Sequence, residues 1–277
     1  MKTVSFIVIW IFCISLVNGQ DEKRHYNEFL QSQFGTRFID KGDFHDTIFQ
    51  NDFSEIWTVN DLNLGPKYFN PTRPDPLGFI GDNYQRLYMH FSEVKRVSEK
   101  KYFVRGKSRV RNNICDFEGS LTIDMAREFE IPYYEDIDYV IDPRGIIQGV
   151  LIGKYEFFED PLQNHVGIFK GRFVSSFHIT EEGNIEYNVT SFYSDNYINN
   201  QFKGIWKPYN STNERTANWG DYRIPQSGDL DIGAGMFSPV DEYLEFGWQT
   251  YREAYFSLER DEEAEKEEKK KWWNVNR

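Results

Sequence analysis

Between Gly145 and Ile179 the chain alternates in two long runs. Leu151, Gly153, Tyr155 and Phe157 share one parity, and Ile152, Lys154, Glu156 and Phe158 share the other. Strand side chains point alternately to opposite faces, so the odd set predicts a core face. The second run repeats the pattern, with Phe169, Gly171, Phe173, Phe177 and Ile179 against Lys170, Arg172, Ser176 and His178. The link Asp160-Pro161-Leu162-Gln163-Asn164 is rich in turn formers, and the whole predicts an antiparallel hairpin.

Glycine recurs within these runs in one setting. Leu151-Ile152-Gly153-Lys154-Tyr155, Phe169-Lys170-Gly171-Arg172-Phe173 and Phe202-Lys203-Gly204-Ile205-Trp206 read bulky, any, Gly, any, aromatic, and Phe117-Glu118-Gly119-Ser120-Leu121 is close to it. A strand glycine weakens the strand unless the chain bends there or something approaches closely. Inward glycines flanked by rings predict a curved sheet whose aromatics cover the gaps. Unequal spacing between the copies excludes a solenoid. The fold class expected is therefore mostly β: an antiparallel, curved sheet forming a barrel or sandwich. A short N-terminal helix and a charged C-terminal helix accompany it.

Elsewhere the pattern changes period. Glu22 to Phe34 carries Tyr26, Phe29, Leu30 and Phe34 at helix spacing, an apolar stripe suited to docking on the sheet. Ile56 to Val59 reads as a short strand. Asn60 to Asp82, with four prolines, reads as a long connection. Gln85 to Val97 and Lys101 to Val110 predict a hairpin whose second strand has a cationic face, read as solvated. Ile114 to Ile123 predicts a strand, Asp124 to Asp142 a surface loop, and Glu181 to Asn184 a turn into Ile185 to Val189. Thr216 to Pro239 is the most loop-like segment. Glutamate–lysine pairs four apart in Glu259 to Lys271 support an exposed, solvated helix, followed by Trp272 and Trp273. The expected division is 1–19 signal peptide, 20–49 helical or irregular, 50–257 antiparallel β domain and 258–277 charged tail.

The N-terminus changes the picture of location. A basic start, the apolar run Val4 to Val17 and the small residues at Val17-Asn18-Gly19 read as a cleaved signal, so the expected location is secreted, extracellular or periplasmic, without an integral membrane span after cleavage. Cleavage removes Cys13 and leaves Cys115, so no internal disulfide follows, and by parity Cys115 is a buried thiol. A formal net charge of −12 argues against nucleic acid and anionic membrane as general partners. Aromatics at 17% fit either a ring-packed core or an aromatic binding surface.

Candidate chemistry is sparse. The five histidines lack short metal spacing, and no nucleophile turn or phosphate loop is present. Asp229 and Asp231, with Asp221, offer oxygens to calcium as a minority reading beside ordinary turn roles; otherwise no cofactor is indicated. Trp219, Asp221, Tyr222 and Arg223 place a ring beside a carboxylate and a guanidinium, which is how sugar sites combine stacking with oriented hydrogen bonds. For Trp219 itself the favoured reading is a plug at one end of a barrel, with the ligand-stacking role beside it. Gly204-Ile205-Trp206 resembles the lipocalin Gly-x-Trp signature, although that signature belongs on the first strand and this chain lacks the family's disulfides; the resemblance covers three residues, implies a lipocalin-like barrel as one form of the sheet and implies nothing about function. Asn188-Val189-Thr190 and Asn210-Ser211-Thr212 match the glycan acceptor pattern. The reading reached is a non-catalytic ligand-binding β domain for a carbohydrate or small apolar ligand. The alternatives are a polysaccharide-acting hydrolase using Asp221, Asp229 or Asp231, and a structural or protein-binding envelope protein.

Overall fold

The computed structural model describes residues 23–65, 67–135, 139–259 and 261–274; the signal reading for 1–19, with Cys13, lies outside them. Ten strands follow in order: β1 (Ile39–Asp43), β2 (Leu77–Ile80), β3 (Gln85–Ser98), β4 (Lys101–Val110), β5 (Asn113–Glu130), β6 (Ile147–Glu159), β7 (Gly167–Ile179), β8 (Ile185–Tyr187), β9 (Asn199–Pro208) and β10 (Arg215–Asp221). All pair antiparallel, in the order β1-β5-β4-β3-β2-β10-β9-β7-β6. β5 also pairs with β6, so the path returns on itself in a ring-like circuit, with β1 added on β5 and β8 on β7. The central hairpin is β6–β7, with Phe157 opposite Phe169 and Gly153 opposite Phe173.

The odd face of β6 looks inward. Leu151, Tyr155 and Phe157 join Phe173, Phe177, Phe202 and Trp219 in the largest core cluster. The inward glycines sit where a neighbouring strand or a covering side chain lies against the chain. A methyl on Gly153 would meet the Thr122 carbonyl oxygen and stand 2.6 Å from the Phe173 ring, and one on Gly204 would stand 2.6 Å from the Tyr155 hydroxyl. Glycine at these points lets adjacent strands and the covering ring approach to contact, which is what tight curvature requires.

One end of the interior is filled by the segment before β2. Phe53, Ile56 and Trp57 are buried within the same cluster, and the Trp57 indole donates to Ser175 Oγ at 2.9 Å. Ile56 to Val59, expected as a strand, instead contains one helical turn, α2 (Glu55–Thr58). Its β-prone residues satisfy burial by entering the ring, which overrides local propensity. Phe53 N–H donates to Tyr102 Oη at 3.1 Å, tying the turn to β4.

The outer face of β5, β6, β7 and β9 is covered by the first helix, α1 (residues 23–34). Its stripe of Tyr26, Phe29, Leu30 and Phe34 packs on Phe129, Val150, Ile152, Val174 and Ile198, which explains why the even face of β6 is apolar at Ile152 and exposed at Lys154 and Glu156. At the C-terminal end, α3 (Gln249–Phe256) precedes α4 (Glu262–Glu268). Glu268 accepts both guanidinium nitrogens of Arg86 at 2.7 and 2.5 Å, with each side chain 5% exposed. Trp272 is buried, and Trp273 stacks on His90 at 3.9 Å. The segment is thus an ordered strap across β3 as well as a charged helix.

Two stretches expected as loops begin as strands. β5 continues to Glu130 because a register shift between Ile123 and Met125 changes which parity faces inward, so Ala126 is in the core although its parity differs from that of Ile123. β10 occupies the start of Thr216 to Pro239: Ala217 and Trp219 face the core, while Asn218 donates to the Pro225 carbonyl and accepts from Gly204 N–H. Cys115 is buried on β5 with Phe117 and Leu121, as parity requires.

Candidate functional site

Four residues chosen from the sequence lie at the end of β10, but they face two ways. Trp219 is 1% exposed and stacks on Phe202 at 5.0 Å with 9° between the planes. Asp221 is fully buried, and its Oδ2 accepts from Tyr187 Oη at 2.8 Å, Asn200 Nδ2 at 2.9 Å and Arg73 Nη1 at 3.4 Å. Burial pushes this carboxyl above its ordinary range, against the pull of Arg73 and those donors. Tyr222, at φ 68°, turns the chain and packs its ring on Tyr197 at 4.9 Å and Phe192 at 5.8 Å. These three belong to the ring's end and its cap.

Arg223 points the other way, into an external cleft. The cleft has a volume of about 550 Å³ and runs between α1, β9 and the chain from Arg223 to Asp231. Its size falls within the usual span for small-molecule sites. Phe29, Ile198, Ile224 and Pro225 supply apolar lining, and His25, Gln201, Lys203 and Ser227 supply polar groups. Helix spacing brings His25, Glu28, Phe29 and Ser32 along one side of α1, adjacent to the stripe that docks the helix. Strand β9 contributes Gln201 and Lys203.

The charges of the cleft are neutralised pairwise. Lys203 Nζ lies 3.0 Å from Glu28, and the Arg223 guanidinium 2.8 Å from Asp231. Arg223 also donates to Asn196 Oδ1 and the Gly233 carbonyl, which fixes its plane. His25 is 3% exposed, and its Nδ1 has no partner. Burial lowers its pKa to about 3, assisted by the positive charges of Lys203, Arg172 and Arg24. The ring is therefore neutral near pH 7. It is one donor and one acceptor at the wall of an otherwise charge-balanced cleft.

The carboxylates proposed for chemistry stand in three settings. Asp221 is in the buried network, Asp229 is exposed in a short turn (Gly228–Leu230), and Asp231 lines the cleft. Asp231 Oδ1 accepts from Gly233 N–H at 2.9 Å and Ser238 N–H at 3.0 Å, while Oδ2 takes Arg223. Its oxygens hold the glycine-rich loop, a poor donor set for calcium, which needs oxygens turned toward an ion. Among the described residues no group of three or more His, Cys, Asp and Glu is placed to hold a metal.

The sequence reading missed His25, Glu28, Ser32, Gln201 and Lys203. The signal available was the side of α1 next to its apolar stripe, but nothing in the sequence pairs that side with β9. It also missed Glu159, a buried carboxylate that accepts from Ser108 Oγ, from Gly167 N–H at 2.8 Å and from the Trp206 indole at 2.9 Å. Burial raises its pKa, and those donors oppose the rise. Trp206, the tryptophan of the lipocalin-like triplet, is thus committed to Glu159. Compared with known proteins, the chain matches no family model, no curated protein and no solved structure.

Proposed function

We propose that the chain is a secreted, non-catalytic binding domain of lipocalin-like barrel form, and that it takes a neutral carbohydrate in the cleft between α1 and β9. The observation that carries this reading is the neutral His25 ring, with a buried and unpartnered Nδ1, in the wall of a cleft whose charges already pair with one another. A buried polar atom without a partner costs about 1–3 kcal/mol, and a turn of the ring toward a ligand hydroxyl would recover it. Paired charges disfavour an ionic ligand, which would have to break a pair to gain one. The apolar lining with amides and hydroxyls around it suits a sugar, with one face of CH groups and an edge of OH groups.

The same observations weigh on the other readings. A small apolar ligand would need an empty interior, whereas the ring is packed with Phe157, Phe173, Phe202 and Trp219. Hydrolysis of a polysaccharide would need two carboxylates free to face one substrate bond. Asp231 is engaged by Arg223, and Asp221 is enclosed.

The test is a thermal-shift screen with neutral mono- and oligosaccharides, uronic acids and fatty acids on the wild type and on His25→Phe. Phenylalanine keeps the ring and removes both nitrogens. At a hundredfold excess over the dissociation constant a ligand adds about 2.7 kcal/mol to stability. A shift with neutral sugars that His25→Phe abolishes supports the proposal. A flat response to every sugar, with a normal melt, overturns it and moves the weight to a structural or protein-binding envelope role.

A further inference from the structure

The two glycan acceptor triplets have no part in the cleft, and the fold treats them in opposite ways. Asn188 is 4% exposed, and its Nδ2 donates to Gln148 Oε1 at 3.1 Å and to Ser176 Oγ at 3.0 Å. Its Oδ1 accepts from Thr190 N–H at 3.0 Å, and Thr190 is fully buried. The amide nitrogen that would carry a sugar is thus enclosed by β6 and β7. Asn210 lies at the other extreme. It sits in the turn between β9 and β10, exposed together with Thr212. That turn is anchored by Tyr209 N–H to the Val166 carbonyl and by Ser211 N–H to the Pro208 carbonyl, both at 3.3 Å, so the backbone is held while the asparagine side chain faces solvent.

We infer that Asn210 carries an N-linked oligosaccharide in the folded protein and that Asn188 carries none. The inference rests on the secretion proposed above, since the sugar is transferred in the secretory compartment. An N-linked glycan is bulky and hydrophilic, and it is compatible only with surface asparagine. At Asn188 it would expel Gln148 and Ser176 from their hydrogen bonds and leave buried polar groups without partners, so a chain modified there before folding would not reach this structure. At Asn210 it displaces nothing. The site is also far from the cleft: Lys203 and Pro208 are separated along β9 by about 16 Å at ordinary strand rise, with the turn beyond. A glycan on Asn210 therefore leaves the cleft open and shields the β9–β10 edge of the ring.

The full chain is expressed in a glycosylating eukaryotic host, and the medium is analysed by intact mass and peptide mapping before and after peptide-N-glycosidase. Wild type is expected to show one enzyme-removable glycan, mapped to Asn210. Asn210→Gln and Thr212→Ala should both lose it, the second with the asparagine still present, and Asn188→Gln should keep it. A secreted, folded protein with bare Asn210, or with sugar on Asn188, overturns the inference. Retention in the cell with residues 1–19 attached overturns it for the native chain. The mature residues behind an unrelated secretion signal then separate the causes: sugar on Asn210 there places the failure in secretion, and bare Asn210 places it in the site.

Discussion

Gly153→Ala is a sharp test of the packing logic, because the ordinary expectation and the structural one differ in sign. At an unstrained position, replacing glycine by alanine stabilises a protein by about 0.4–1 kcal/mol through the unfolded chain. Here the added methyl would meet the Thr122 carbonyl oxygen on β5 and stand 2.6 Å from the Phe173 ring on β7. Phe173 is fully buried and packs edge-on to Trp57 at 5.7 Å, so its ring has little room to withdraw. The carbonyl belongs to a paired strand and cannot move alone. Overpacking of this kind costs about 1–3 kcal/mol, which after the entropic gain leaves a net loss of about 1–2 kcal/mol. For a domain of this size each kcal/mol moves the melting point by about 2–4 °C, so a fall of about 2–8 °C is expected. Urea unfolding and thermal circular dichroism measure it, with Glu156→Ala on the exposed face of β6 as the control expected within about 0.5 kcal/mol. A Gly153→Ala protein that melts at or above the wild type would refute the claim that inward glycines are the contact points of curvature.

Other expectations follow from the same structure. Trp219→Ala should cost about 3–5 kcal/mol in chemical denaturation, as large-to-small core changes do, and so would disturb any binding assay through stability alone. Glu268→Ala leaves the Arg86 guanidinium buried without its carboxylate and should destabilise by about 3–5 kcal/mol, with earlier proteolytic cleavage after residue 256 as the second readout. His25, His90 and His178 have pKa values lowered to about 3, 4 and 4, in each case chiefly by burial. The unfolded chain takes up their protons first, so their share of stability is whole above about pH 6.5 and is lost as pH falls toward 3–4. Asp75, raised to about 6 by burial, opposes this over part of the same range. The melting point should fall from pH 7 to pH 4, and His178→Gln should flatten the slope.

What the sequence revealed and what it hid divide along physical lines. The β6–β7 hairpin was legible because the strands alternate from Gly153 to Phe158 and from Phe169 to Phe173, and the linking turn carries its own chemistry. The docking stripe of α1 was legible for the corresponding reason at a period of 3.6. The end of β5 was hidden by a single bulge, which breaks the period that reveals a strand. β10 was hidden because Asn218 and Gly220 look like turn residues, whereas Asn218 bonds Gly204 N–H of β9 and the Pro225 carbonyl, and Gly220 leaves room for the Gln201 side chain. The four residues suggested as a site, Trp219, Asp221, Tyr222 and Arg223, part company: alternation sends Trp219 and Asp221 inward, and the left-handed turn at Tyr222 sends Arg223 to the cleft. The cleft itself is made by tertiary pairing of α1 with β9, over a separation that no local pattern encodes.

The closure of the ring carries a consequence for synthesis. Strands β2 through β7 can pair with their neighbours as they emerge, since each joins the one before it. The circuit closes only when β10 reaches both β9 and β2, between Trp219 and Gly78 among others. Until then β2 presents an open edge, the kind that recruits other strands. The strap whose Glu268 grips Arg86 on β3 arrives later still. A ribosome paused late in translation would therefore hold a nearly complete sheet with an unguarded seam, and chains truncated before Arg215 should aggregate rather than remain as soluble partial folds.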